Sequence, residues 1–232
     1  MLPIRDTVHA RYFPFVNYLL IAANAVVFFI ELGMPTQQLE QLIATFGLIP
    51  AKLVWSNPLT LVPLLTHMFL HSGWLHFVSN VWILFIFGDN VEDRLGSFRY
   101  LVFYILGGVG AGLLQSVLTT NPNLPAIGAS GAIAAVMGAY FLFFPTARVI
   151  TLIPLFFVPW FVEIPAIIYL GFWFVSQLFS GVLSLTMTQG MEVGGVAWWA
   201  HIGGFIMGLI LAKPFEARRR RRIWYPDEYY PW

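Results

Sequence analysis

Cysteine is missing from this chain of 232 residues, which excludes disulfides and thiolate-bound metals. Charge is scarce as well. Asp, Glu, Lys and Arg make up 10% of the residues and hydrophobic types 59%, where a soluble domain carries about 25% and 45–50%. That balance excludes an ordinary water-soluble globule and points to lipid as the solvent. The only H-x-x-x-H, His67-Met68-Phe69-Leu70-His71, lacks the Glu that an H-E-x-x-H zinc protease uses as its base, so no metal is expected. Paired carboxylates within the apolar runs are lacking too, and Asp89 stands alone at the end of one, which excludes an aspartyl mechanism. No strong internal repeat or low-complexity tract is present. The basic run Arg218–Arg222 follows the last apolar stretch; it reads as a stop signal and headgroup anchor, not as a nucleic-acid contact. The N-terminus, with Asp6 and Pro14 ahead of its apolar run, shows no A-x-A-like site and does not look like a signal peptide.

What the chain does have is apolar length. Crossing a bilayer core of about 30 Å takes roughly 20 apolar helical residues, and six stretches approach this: Phe15–Glu31, Leu61–Gly88, Tyr100–Leu118, Gly128–Phe144, Ile164–Leu185 and Ala197–Leu211. Helices are expected because lipid cannot satisfy free backbone groups. The apolar segment Val149–Pro165 is broken by Pro154, Pro159, Glu163 and Pro165 and reads as a connection at the membrane surface. The expected fold is therefore an all-α membrane protein, a bundle of six transmembrane helices over residues 1–213 with a basic and aromatic tail over 214–232.

Orientation follows from Lys and Arg, which accumulate on the cytoplasmic side. With the N-terminus inside and the spans alternating, Arg5, Arg11, Arg94, Arg99, Arg148, Lys213 and Arg218 through Arg222 all fall inside, and only Lys52 falls outside. Eleven of twelve basic residues obey the rule, so both termini are expected in the cytoplasm. The same arrangement sets Ser130, at the start of the fourth span, and His201, near the start of the sixth, at one depth below the outer surface. Charge alone brings these two residues to a common level although they lie 71 positions apart.

Intramembrane polar groups are costly and mark functional sites. Ser130 lies in Gly128-Ala129-Ser130-Gly131 and His201 in Ala200-His201-Ile202-Gly203-Gly204. A hydroxyl attacks well only when a base takes its proton and the oxyanion is stabilised. Ser130 begins a helix, whose free N–H groups and dipole favour negative charge. Gly131, Ala135 and Gly138-Ala139 give the fourth span a small-residue stripe, and Gly204 and Gly208 form a G-x-x-x-G in the sixth; such stripes let helix backbones approach closely. If those faces meet, Ser130 and His201 come within hydrogen-bond reach. No carboxylate lies inside either span, so a Ser–His dyad is expected instead of a triad. His76 and Asn80, four apart on the second span, share a helical face. With the Ser130 N–H they could form an oxyanion hole. His67 and His71 are read as sharing a face in the same way.

These motifs resemble the rhomboid family of intramembrane serine proteases. The resemblance runs from the first span through the sixth and rests on the Ser130 and His201 motifs together with His76-Phe77-Val78-Ser79-Asn80. Glu92, Arg94, Gly96 and Arg99 look like the family's turn after the second helix. It implies Ser130 as nucleophile, His201 as base and then acid, and His76, Asn80 and the Ser130 backbone as oxyanion donors. Gly128 would shape the turn before Ser130, Gly131 would support the site, and His71 would line a wet cavity. It implies no cofactor. Substrates would be transmembrane proteins, single-span ones foremost, cut near the outer end of the helix within the bilayer of a prokaryotic plasma membrane. Two positions depart from the family: Val62-Pro63 stands where some members have Trp-Arg, and Ala134 where some have a Tyr that stacks on the histidine. Another group must then hold His201. The loop Met187–Val196 is expected to cap the cavity, and the segment Gly33–Pro63 to lie at the outer interface as an amphipathic helix. The rival from another class is a non-catalytic relative that binds transmembrane helices.

Overall fold

Pro14 closes the irregular stretch at the N-terminus, and the apolar run after it forms helix α1 (Phe15–Leu32). The structure is a computed structural model and describes residues 2–155, 158–186 and 196–217. The first amides of α1, on Val16 and Asn17, donate to the Glu92 carboxylate at 3.1 and 2.7 Å. A negative side chain thus satisfies free donors at the positive end of the helix dipole. The segment Gly33–Pro63 contains α2 (Thr36–Phe46), which buries none of its residues.

The second apolar stretch departs from expectation. It begins as short turns and α3 (Pro63–Thr66), tightens into a 3-10 turn at His67–Phe69 and breaks. It resumes as α4 (Trp74–Leu95), bent by 82° from the helical pieces before it. Gly73, at φ +151°, occupies a conformation closed to side-chain-bearing residues and marks the break. His67 and His71 therefore do not share a helical face.

Helix α5 (Ser97–Leu118) follows Gly96, and α6 runs from Ser130 to Phe143. Helices α7 (Ala166–Thr186) and α8 (Trp198–Phe215) complete the bundle. Among the described residues three helices, α1, α5 and α7, are long and apolar enough to cross a membrane, and the bent stretch ending in α4 is a fourth candidate. Their outward faces carry residues such as Phe29, Phe172 and Phe179, a surface suited to hydrocarbon.

The all-α expectation needs correction. Strands β1 (Leu2–Asp6), β2 (Arg148–Leu155) and β3 (Val158–Pro165) form an antiparallel sheet in the order β1-β2-β3. Leu2 pairs with Leu152, and Val149 with Ile164. The prolines that argue against a helix here are compatible with a hairpin, and Val149, Ile150, Thr151, Val162 and Ile164 favour extended backbone. The sheet lies where α6 ends and α7 begins, opposite Ser130. Trp82 of α4 donates its indole N–H to the Pro3 carbonyl at 2.7 Å. Asp6 accepts hydrogen bonds from Asn90, at 3.0 Å, and from the Tyr140 hydroxyl. Burial pushes the Asp6 carboxyl above its ordinary range.

Helix α6 is the axis of the core: every residue from Gly131 to Tyr140 is buried. Its partner α8 meets it backbone to backbone. The place a side chain would take at Gly204 is filled by the Gly131 carbonyl, at Gly208 by the Ala135 carbonyl, and at Gly138 by the Phe205 carbonyl. The two small-residue faces read from the sequence do meet. In lipid, such contacts replace the hydrophobic driving force available in water. We predict that Gly204→Ala, forced against a carbonyl, lowers stability in reversible unfolding by about 1–3 kcal/mol. Gly171→Ala on α7, whose nearest neighbour is Phe141 at 3.8 Å, leaves stability unchanged or raises it by up to about 1 kcal/mol.

Candidate active site

The turn that delivers Ser130 is pinned from two sides. Leu48 and Ala126 exchange backbone hydrogen bonds at 3.0 and 2.8 Å, and the Gly128 N–H donates to the His67 carbonyl at 2.8 Å. Gly128 stands at φ +124°. A Cβ there would lie 2.5 Å from His76 Nε2, so both the backbone angle and the space require glycine. The chain then enters α6 with Ser130 as its first residue, where backbone N–H groups have no partner within the helix.

His201 lies one turn into α8. The start of that helix is held by Gln115, whose side-chain oxygen accepts from the Ala200 N–H at 3.1 Å. His201 Nε2 is 2.8 Å from Ser130 Oγ, and Nδ1 is 2.7 Å from Gln177 Oε1 on α7. The Trp173 ring lies 5.9 Å from the imidazole at 34°, and Trp198 meets it edge-on at 6.2 Å. With Ala134 where a stacking Tyr would stand, these indoles and Gln177 are the groups that hold the ring. An amide occupies the place where a triad would have its carboxylate.

His76 and Asn80 come from α4 as their spacing predicts. The Ser72 hydroxyl lies 3.1 Å and its N–H 3.5 Å from His76 Nδ1. Nδ1 is thus the accepting nitrogen and Nε2, beside Gly128, carries the proton. Asn80 is buried, and its Nδ2 has no partner among the described residues. Unpaired buried donors are rare in folded proteins, and this one belongs to a residue at the cavity wall. His76, Asn80, Ser130 and His201 line one cavity of about 900 Å³, shared with Ser72 and Trp173.

His71 does not join them. Its N–H donates to the Glu31 carboxylate at 3.1–3.2 Å, and its ring packs edge-on against Phe28 and Phe77, behind His76. The helix break at Leu70–Gly73 turns it away from the cavity, so its expected lining role is corrected to support of the loop before α4. Gly131 sits against Ala111 and Ala200, inside the packing that carries the serine. Among the described residues, no three His, Cys, Asp or Glu side chains form a metal-ligand set. The expected lid Met187–Val196 lies outside the described residues except for Val196, which lines the cavity. Sequence reasoning missed Gln177 and Gln115. The signal was available: both are amides inside apolar helices, where polar groups are costly.

A family model for the Rhomboid domain matches residues 58–217. Over 199 residues the chain is 28% identical to the mouse protein named presenilin-associated rhomboid-like protein, mitochondrial, covering 82% of this chain and 46% of that one. It is 33% identical over 131 residues to rhomboid protease GluP of Bacillus subtilis (strain 168), 54% of this chain and 24% of that one. It is 30% identical over 152 residues to rhomboid-like protein 11, chloroplastic, of Arabidopsis thaliana, 63% of this chain and 49% of that one. The chain spans less than half the length of each of these relatives.

We predict that Gly128→Ala costs about 1–3 kcal/mol in unfolding measurements, from backbone strain. It should also displace His76 from the cavity wall, read as a changed His76 resonance while the distant His9 keeps its own.

Proposed function

The chain belongs to the rhomboid family, and from that premise we propose that it is an intramembrane serine endopeptidase that hydrolyses peptide bonds in or near transmembrane helices. The observation that carries this reading is the 2.8 Å contact between Ser130 Oγ and His201 Nε2 at the wall of a cavity large enough for an unwound peptide. The Ser130 hydroxyl gives its proton to Nε2 as its oxygen attacks the scissile carbonyl. The carbonyl oxygen becomes an oxyanion and accepts from His76 Nε2–H, Asn80 Nδ2 and the Ser130 N–H. The imidazolium then returns its proton to the leaving amine, and an acyl group stays on Ser130. A water molecule, deprotonated by the same Nε2, releases the acyl group and regenerates the hydroxyl. Asn80 supports this assignment because a substrate oxygen would give its unpaired donor an acceptor, in a bond that strengthens as charge develops.

The finer topology belongs to the same proposal. α6 and α8 are taken as crossings alongside α1, the α3–α4 stretch, α5 and α7, making six with both termini in the cytoplasm. Helix α6 has 14 residues, about 21 Å at 1.5 Å per residue. That length suffices for a helix enclosed by others, with its first residue at the floor of a water-filled cavity. The charge asymmetry of the loops supports the orientation. The protease unit spans 1–213, and the tail over 214–232 begins within the last turn of α8. Substrates are transmembrane proteins, single-span ones foremost, met laterally in the bilayer. The relatives named for chloroplast and mitochondrion stand beside a bacterial one, and a prokaryotic plasma membrane is the location proposed.

The test is labelling with a fluorophosphonate, which reacts with activated serines. Wild-type protein should label and Ser130→Ala should not. Absence of label on folded wild type would overturn the enzyme in favour of a non-catalytic helix binder. His76→Ala should lower turnover by about 10²-fold, the scale of one lost oxyanion donor, with its unfolding midpoint unchanged.

A further inference from the structure

Apolar helix α7 carries two adjacent polar side chains toward the site, Ser176 and Gln177, and the hydrogen bonds they make leave little freedom of assignment. Ser176 Oγ lies 2.6 Å from the Trp173 carbonyl and donates to it. Its one proton is committed there, so its oxygen can only accept from Gln177, 3.1 Å away. The Gln177 atom facing Ser176 must then be the amide nitrogen. That turns the amide oxygen toward His201 Nδ1, at 2.7 Å. An amide oxygen has no proton to give, so Nδ1 carries the imidazole hydrogen. Nε2 is left with its lone pair toward Ser130 Oγ. The chain of bonds runs from Ser130 through His201, Gln177 and Ser176 to the Trp173 carbonyl, each donor meeting one acceptor.

We propose that Gln177 is a positioning residue that locks His201 in the Nδ1–H tautomer, the form able to take the proton of Ser130. This rests on the reading of Ser130 and His201 as the reacting pair. Gln177 touches neither the substrate nor the hydroxyl and acts through the imidazole alone. A histidine free of this acceptor would also populate the Nε2–H tautomer, which has no lone pair to offer the serine. Once Nε2 has taken the proton, Gln177 continues to accept from Nδ1–H and keeps the ring aligned for the return transfer. Being neutral, it orients the imidazolium without supplying the counter-charge that a carboxylate would. Gln177 is buried, so no bulk water replaces it when it is removed.

Two measurements on the full chain in lipid bilayers decide the matter. The first is the rate of fluorophosphonate labelling as a function of pH. Gln177→Leu should label about 10–100-fold more slowly at neutral pH, less than the roughly 10²–10⁴-fold that positioned acid–base transfer contributes because the imidazole itself stays in place, with its unfolding midpoint near that of wild type. Gln177→Glu keeps an acceptor for Nδ1 and should restore most of the rate. Its charge favours the imidazolium, so the acid limb of its profile should move to higher pH. The second is the ¹⁵N spectrum of His201, which distinguishes the tautomers whether or not the protein reacts and also applies if the Leu variant fails to fold. Wild type should show the Nδ1–H form. A Leu variant that labels like wild type, or a wild-type spectrum of the Nε2–H form, overturns the proposal. Wild type that fails to label while showing the Nδ1–H form would sink the protease reading and leave the role of Gln177 standing.

Discussion

The close approach of α6 and α8 governs the rest of the molecule. Neither helix could come so near with a side chain at Gly204, Gly208 or Gly138, because each of those places is filled by a backbone carbonyl of the other helix. Leu-sized residues would hold two helix axes at about 8–10 Å and leave Ser130 and His201 to reach across a gap. With glycine at the crossing, the two side chains close a 2.8 Å hydrogen bond. The energy of this arrangement comes from packing, since lipid gives two apolar helices little reason to associate. The rigidity of the crossing is therefore what makes a polar contact reproducible in an apolar protein.

Around that crossing, polar groups are distributed by end. At the Ser130 end they face a cavity: His76, Asn80, Gln115 and His201 line it, Gln115 also holding the start of α8, and Gln177 secures the ring from behind. At the other end they tie elements together. Glu92 holds the start of α1, Asp6 is bound by Asn90 and Tyr140, and Arg94 pairs with Glu216. Tyr140 lies on the same helix as Ser130, so α6 is fastened at one end by the sheet and offered to the cavity at the other. The exposed faces between the ends remain apolar. Such a division suits a protein that must keep water at one place inside a bilayer and exclude it elsewhere.

Much of this was legible in the residues. The small-residue faces and the meeting of Ser130 with His201 required only helical periodicity and the distribution of Lys and Arg. The pairing of β1 with β2 was not legible, because Leu2 and Leu152 lie 150 positions apart and each strand is short. The prolines of the segment 148–165 argued correctly against a helix, yet they say nothing about which strand lies alongside. The break before α4 was written in Gly73, but an isolated glycine in an apolar run is compatible with a continuous helix. His71 was misplaced for that reason alone. Gln177 was less legible because it bears neither a titratable group nor a hydroxyl, although an amide in such a helix also costs free energy to desolvate.

The central claim is that the position of Ser130 is both wet and served by His201. Because the chain has no cysteine, Ser130→Cys would carry its single thiol, and the rate at which a charged, membrane-impermeant alkylating reagent modifies it tests both halves at once. The account predicts modification in intact membranes from the outer face, slowed about tenfold at neutral pH when His201 is also replaced by Ala, because a neighbouring imidazole promotes the thiolate. A thiol inert to the reagent, or one that reacts at the same rate with and without His201, would contradict it.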